Sequence, residues 1–180
     1  MTDASAPASN AVSIVHGAPL STEPGLGTLT IPGYLREVTT RFAKNEALVR
    51  RTADGAERWT YADLWERSVE VARALVASGV GKDSRVGVLM TNRPEFLSAM
   101  FGTALAGGVA VILSTFSTAP ELEQLLRVSG VSVLLFERHV VTKDFAAVLG
   151  ELEPAIQTCR PGGLVSLKLP FLRRLVALDR

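Results

Sequence analysis

Cysteine and histidine are almost missing from this chain. Cys159 is the only thiol, so no intrachain disulfide can form, and a reducing, cytoplasmic compartment is expected. His16 and His139 are the only imidazoles. Neither has a second ligand type at metal-binding spacing, which argues against a structural zinc. Catalysis by a histidine-activated nucleophile needs a partnered base and is poorly supplied. His139 follows an apolar segment and reads as a surface loop residue. Aromatic residues make up 6% of the chain and are not interleaved with basic ones, so a stacking platform for single-stranded nucleic acid is not expected. Charge of one sign is lacking too. The formal net charge is +1, too weak a field to argue for nucleic acid or an anionic membrane as partner. No lysine or arginine precedes Arg36, so the charged start of a signal peptide is missing.

What the sequence does contain is patterned hydrophobicity. With 47% hydrophobic and 21% charged residues, most of the chain should pack and not stay disordered. Its 180 residues suit one domain or a domain plus a tail. Residues 1–30 are rich in Ala, Ser, Pro, Thr and Gly without a sustained period, and read as a flexible tail that ends in a short docked segment. Residues 31–180 alternate between helical and strand patterns.

The first helical pattern, IPGYLREVTTRF, places Tyr34, Leu35, Val38 and Phe42 on one face. ALVRRTADGAERWTY predicts a hairpin around Asp54-Gly55. Thr60 with Asp63 then opens a helix like a capping box, with Leu64, Ser68, Ala72, Leu75 and Val76 as its buried stripe and Gly79 as its stop. SRVGVLM, VAVIL and VSVLLFE are three apolar strands. Between them lie a helix with Phe96, Leu97, Met100, Phe101, Ala104 and Leu105 at helical spacing, and a second one capped by Thr118 and Glu121, started near Pro120 and stopped at Gly130. DFAAVLGELEPAI continues as a helix and LRRLVALD as a further strand. Repeated strand–helix units with nearly continuous apolar strands predict an α/β fold. Its sheet is mostly parallel, with helices on both faces and right-handed crossovers.

The stretch VGVLMTNRPEFLSAMFGTALAGGVAVILST carries three competing readings. Gly102 and Gly107 have the gap of a phosphate loop, but Gly108 and Val109 follow where that loop needs Lys and a hydroxyl. STFSTAP at 114–120 also lies between strand and helix, yet it lacks glycine and lysine, and helix capping by Thr118 explains it better. Residues 96–120 hold no charge, 25 positions between Glu95 and Glu121, which is long enough for a membrane span. Ala99, Thr103 and Gly107 even share the small-residue spacing of packed membrane helices. Gly107-Gly108 interrupts that run and the β-branched VAVIL suits a strand, so a buried strand–helix–strand scaffold is the preferred reading. The basic stretch 160–180, with Arg160, Lys168, Arg173, Arg174 and Arg180 against Asp179, would make at most a peripheral membrane anchor. Pro170 and Gly162-Gly163 break any long helix there.

Residues from about 32 to 156 resemble the beginning of the adenylate-forming enzymes, a superfamily of acyl-CoA synthetases, peptide-synthetase adenylation domains and luciferases. Thr60, Tyr61 and Leu64 match its Thr-Tyr-x-Glu-Leu helix start, with Asp63 for the usual Glu. Gly79, Val80, Asp83 and Val86 match the approach to the next strand, with Lys82 where Gly is common. Asn92, Glu95 and Phe96, then Ala106 and Gly107, match the remainder, and APELEQLLRVSGVSVLLFE resembles the following helix and strand. The family's Val-Pro-Leu-Asn after its second strand has no counterpart in VAVILST.

The resemblance implies adenylation of a fatty acid or other carboxylate by ATP with Mg²⁺, then thioester formation with CoA. The family's phosphate loop, ribose-binding Asp and catalytic Lys do not occur in this sequence. No catalytic, cofactor-binding or metal-binding residue is therefore carried over. Residues 31–180 are expected to form the N-terminal part of an AMP-binding domain, inactive alone. The alternatives are a stand-alone binding or complementation module and, less favoured, a small membrane-associated protein. A sheet completed by later strands in the family should leave an apolar edge here, so self-association and pairing with the missing C-terminal portion are expected.

Overall fold

The computed structural model describes residues 16, 17, 19–22 and 30–178; most of the expected tail, residues 1–30, lies outside them. Helix α1 (Ile31–Phe42) starts at Thr30, whose side chain accepts the Gly33 N–H at 3.1 Å. Strands β1 (Glu46–Thr52) and β2 (Gly55–Thr60) form the expected hairpin, antiparallel and closing on Thr52 opposite Gly55. Helix α2 (Tyr61–Ala77) follows without a gap because Thr60 and Asp63 exchange a full capping box. The Asp63 carboxylate accepts the Thr60 N–H at 2.8 Å, and the Thr60 hydroxyl oxygen accepts the Asp63 N–H at 3.2 Å.

From there the chain alternates. Strand β3 (Arg85–Leu89) leads to α3 (Pro94–Leu105), β4 (Val109–Ile112), α4 (Ala119–Ser129) and β5 (Val133–Phe136). A short hairpin of β6 (His139–Val140) and β7 (Lys143–Asp144) precedes α5 (Phe145–Leu152), and strand β8 (Arg174–Ala177) comes after an irregular segment. α4 stops where expected, at Gly130 with φ 66°, a left-handed cap that other residues adopt only at a cost.

β4, β3, β5 and β8 lie in that order in one sheet, all parallel. Alternation sorts their side chains between two helical layers. On one face Val86, Val88, Met90 and Val133 pack under α2 and α3, against Leu75, Val80 and Ala99. On the other, Leu89, Leu113, Leu134 and Phe136 meet Leu122, Leu126, Phe145 and Leu149 of α4 and α5. The expected mostly parallel α/β sheet with helices on both faces is what forms.

Three details differ from the sequence reading. Val76 points outward at 56% exposure, although the rest of its stripe, Leu64, Ser68, Ala72 and Leu75, is buried. On α1 only Leu35 is buried; Tyr34 and Phe42 face solvent. On α3 the most buried positions are the small ones, Ser98, Ala99, Gly102 and Thr103. The larger apolar residues beside them are only half-buried, because α2 approaches α3 too closely for bulk. A Cβ on Gly102 would stand 2.7 Å from Val71 and 2.8 Å from the Ser68 carbonyl.

The uncharged run 96–120 is thus divided among α3, β4, a loop and the first two residues of α4. No described helix is long and apolar enough to cross a membrane. The described part of the basic stretch, 160–178, forms no helix either, and Asp179 and Arg180 lie outside the described residues. Leu164, Leu169 and Leu172 are buried in the α4–α5 core, and Arg173 donates to the carbonyls of Pro170 and Leu172 at 2.7 and 2.9 Å.

Candidate functional site

In an open parallel sheet, the place where the strand order reverses leaves a crevice at the carboxyl ends of the strands. Here the chain passes from β3 to β4 on one side, then returns through α4 to β5 on the other. The loops after β3 and β5 therefore separate, and that is where a candidate site belongs.

Charged residues fill the opening. Both Thr91 donors reach Glu137 Oε2, the N–H at 2.9 Å and the hydroxyl at 2.7 Å. Arg93 Nη1 lies 3.0 Å from Glu137 Oε1, and its Nε donates to Glu95 Oε2 at 2.9 Å. The Arg93 and Glu137 side chains keep only 13% and 12% of their exposure. Burial pushes the Glu137 carboxyl up, but the hydrogen bonds from Thr91 and the Arg93 charge outweigh it and hold the group below its ordinary value. Glu95 is lowered in the same way, burial being outweighed by the bond from Arg93 and by the charges of Arg93 and Arg50. Glu137 is thus kept ionised with both oxygens engaged. It suits a latch between two loops and not a proton-transfer role, which needs a group poised near the working pH.

A groove of about 480 Å³ adjoins the latch, between the β1 strand and the start of α3, lined by Leu48, Val49, Arg50, Arg51, Arg93 and Phe96. The loop after β4 is closed by other means. Lys143 Nζ donates to the carbonyls of Thr115 and Ser117 at 3.1 and 2.9 Å, and the Thr118 hydroxyl and N–H both go to Glu121. The capping reading of STFSTAP is the one the geometry bears out.

The glycines of the uncharged stretch do not form a phosphate loop. Gly102 is buried against α2 and not in a loop, and Gly108 lies against the Ser84 carbonyl and Thr103. The lysine nearest the β4 loop is spent on its carbonyls. Among the described residues no group of three His, Cys, Asp or Glu could hold a metal ion. His139 is exposed on the short hairpin, its Nε2 3.5 Å from Asp144, as a surface residue should be. Cys159 is partly buried, with its Sγ 3.7 Å from the Ile156 carbonyl.

Sequence reasoning missed Glu137, Arg93 and Lys143. The signal for the first two was positional: each lies just past the end of a parallel strand, 46 residues separating Thr91 from Glu137.

Solved structures share this architecture. A Mycobacterium tuberculosis fatty acyl CoA synthetase superposes with a TM-score of 0.66 and 26% identity, over 83% of this chain and 26% of that one. The N-terminal domain of FACL13 from the same organism, in an inhibitor-bound crystal structure, gives 0.65 and 27% over 83% and 33%. Among sequences, the human mitochondrial medium-chain acyl-CoA ligase ACSF2 is 30% identical over 158 residues, 88% of this chain and 25% of that protein. The acyl-CoA ligase SID4 of Ajellomyces capsulatus is 30% identical over 168 residues, 93% and 26%. The chain spans about a quarter of the length of these curated relatives. The family model for AMP-binding enzymes matches residues 35–168, and the chain belongs to that family.

Proposed function

We propose that this chain is the N-terminal part of an ATP-dependent, AMP-forming acyl-CoA ligase and is catalytically silent alone. The observation that carries the reading is the family match over residues 35–168 in a chain that spans about a quarter of its curated relatives. The fatty acid or other carboxylate, ATP, Mg²⁺ and CoA belong, on this reading, to the longer protein. Its phosphate-binding and adenylating groups lie outside the matched segment, and a reducing, cytoplasmic setting suits the single cysteine. Residues 31–180 act as one scaffold unit of the AMP-binding domain.

A second reading, a complementation module, has its own support at β8. That strand is an edge of the sheet and is flanked by open grooves on both faces. One, of about 280 Å³, is lined by Val71, Leu75, Leu135, Val176 and Leu178. The other, of about 230 Å³, is lined by Ile156, Cys159, Leu175 and Ala177. A further strand with its helices would cover both, as layered α/β architecture requires.

Incubation with ATP, Mg²⁺ and a panel of fatty acids should release no pyrophosphate; clear turnover overturns the first reading. Co-expression with a polypeptide carrying the remainder of the domain should restore pyrophosphate release if the two parts assemble, and failure to co-purify overturns complementation.

A further inference from the structure

The segment from Glu137 to Asp144 crosses the carboxyl ends of the sheet. It leaves β5, and Glu137 at once ties it to the loop after β3 through Thr91 and Arg93. Near its far end Lys143 ties it to the loop after β4, at the carbonyls of Thr115 and Ser117. Between the ties it turns back as the β6–β7 hairpin, and the Phe145 N–H closes it on the Arg138 carbonyl at 2.8 Å. The ends of three parallel strands, β5, β3 and β4, are thus spanned by one short segment.

Its contacts hold this segment in place without packing it firmly. Of residues 137–144 only Val140 is buried, so hydrophobic burial contributes little adhesion. Val141, in the two-residue turn between β6 and β7, has φ 54°. A β-branched residue fits that left-handed region poorly, because its Cβ crowds the following carbonyl. Val141 is 98% exposed, so no packing offsets the strain. Arg138 Nε is buried and, among the described residues, has no hydrogen-bond partner; water would supply one if the hairpin lifted. The hairpin's own ion pairs are half-exposed, with Arg138 Nη2 3.3 Å and His139 Nε2 3.5 Å from Asp144, and such pairs contribute little.

We propose that residues 137–144 form a strap that opens as a unit over the carboxyl end of the sheet while β3 and β5 stay paired. Its closed form is set by the two ties, Glu137 to the β3 loop and Lys143 to the β4 loop, acting against the strain at Val141. Opening exposes Val140, relaxes Val141, hydrates Arg138 Nε and frees the Lys143 ammonium. The strap rests on the geometry of this chain and stands whether or not the chain comes from a ligase.

Native-state hydrogen exchange of the 180-residue chain in low urea tests this at two amides. Leu134, fully buried on a strand paired on both sides, reports global unfolding, and Phe145 reports the strap. Phe145 should exchange roughly tenfold or more faster than Leu134. Its rate should barely rise with urea, whereas that of Leu134 should rise steeply, because little surface is exposed when the strap lifts. Lys143→Met removes both bonds to the β4 loop and should speed Phe145 exchange roughly tenfold. Val141→Asn suits the left-handed turn and loses no packing, so it should slow Phe145 exchange roughly threefold or more. If Lys143→Met misfolds, the wild-type urea dependence and Val141→Asn decide. Phe145 exchange that matches Leu134 in rate and urea dependence, that ignores a folded Lys143→Met, or that is not slowed by Val141→Asn overturns the proposal.

Discussion

At the scale of single residues, the Thr91–Arg93–Glu137 latch is the feature with the clearest energetic signature. Glu137 and Arg93 are nearly buried and paired, and Glu137 also accepts both Thr91 donors, so removing its charge weakens several contacts at once. Glu137→Gln should destabilise the fold by about 1.5–3 kcal/mol, the range for hydrogen bonds to charged groups, read as a lower urea midpoint. The pH dependence has a fixed sign. The carboxyl is lowered in the folded protein from an ordinary value of 4.5, so its contribution is present above 4.5 and fades as pH falls through the folded value. Wild type should lose stability on acidification below about 4.5 more steeply than Glu137→Gln; parallel curves for the two proteins would remove the latch from the account. Nothing near Glu137 in the sequence marks it as paired with Thr91, since the pairing depends on β3 and β5 being neighbours, which the sequence pattern leaves open. Lys143 is similar: it reaches the β4 loop only because the β6–β7 hairpin folds back beneath it.

At the scale of elements, caps and strands were legible because their signals are local. Thr60 with Asp63, Thr118 with Glu121, and the apolar runs of β3, β4 and β5 each needed only a few neighbouring residues. The buried face of α3 was not legible, because hydrophobic spacing points to Phe96, Leu97 and Phe101 while close approach of α2 selects Ser98, Ala99, Gly102 and Thr103. Gly102 makes that testable. Alanine in a helix interior gains about 1 kcal/mol over glycine, but overpacking costs about 1–3 kcal/mol. The clash is with the Val71 Cβ and a backbone carbonyl, neither of which can swing away. Gly102→Ala should therefore lower the melting temperature despite its propensity gain. Gly81→Ala, with open space around it, should stay within about 0.5 kcal/mol of wild type. A Gly102→Ala variant as stable as wild type would mean that α2 and α3 can move apart without cost.

At the scale of the whole molecule, hydrogen exchange can tell the two edges of the sheet apart. The inner strands β3 and β5 are paired on both sides, so their amides should exchange only through the largest openings. On β8, Arg174 and Leu178 donate to β5, to the carbonyls of Ser132 and Phe136, which leaves Leu175 and Ala177 facing outward by strand alternation. On β4 the outward amides are those of Ala110 and Ile112. Both pairs should exchange quickly at low protein concentration. Protection of Ala110 and Ile112 that rises with protein concentration would place self-association at β4, by linkage to the dimer. Concentration-dependent protection at Leu175 and Ala177 instead would place self-association at β8. The grooves flanking β8 would then be the surface through which chains find one another.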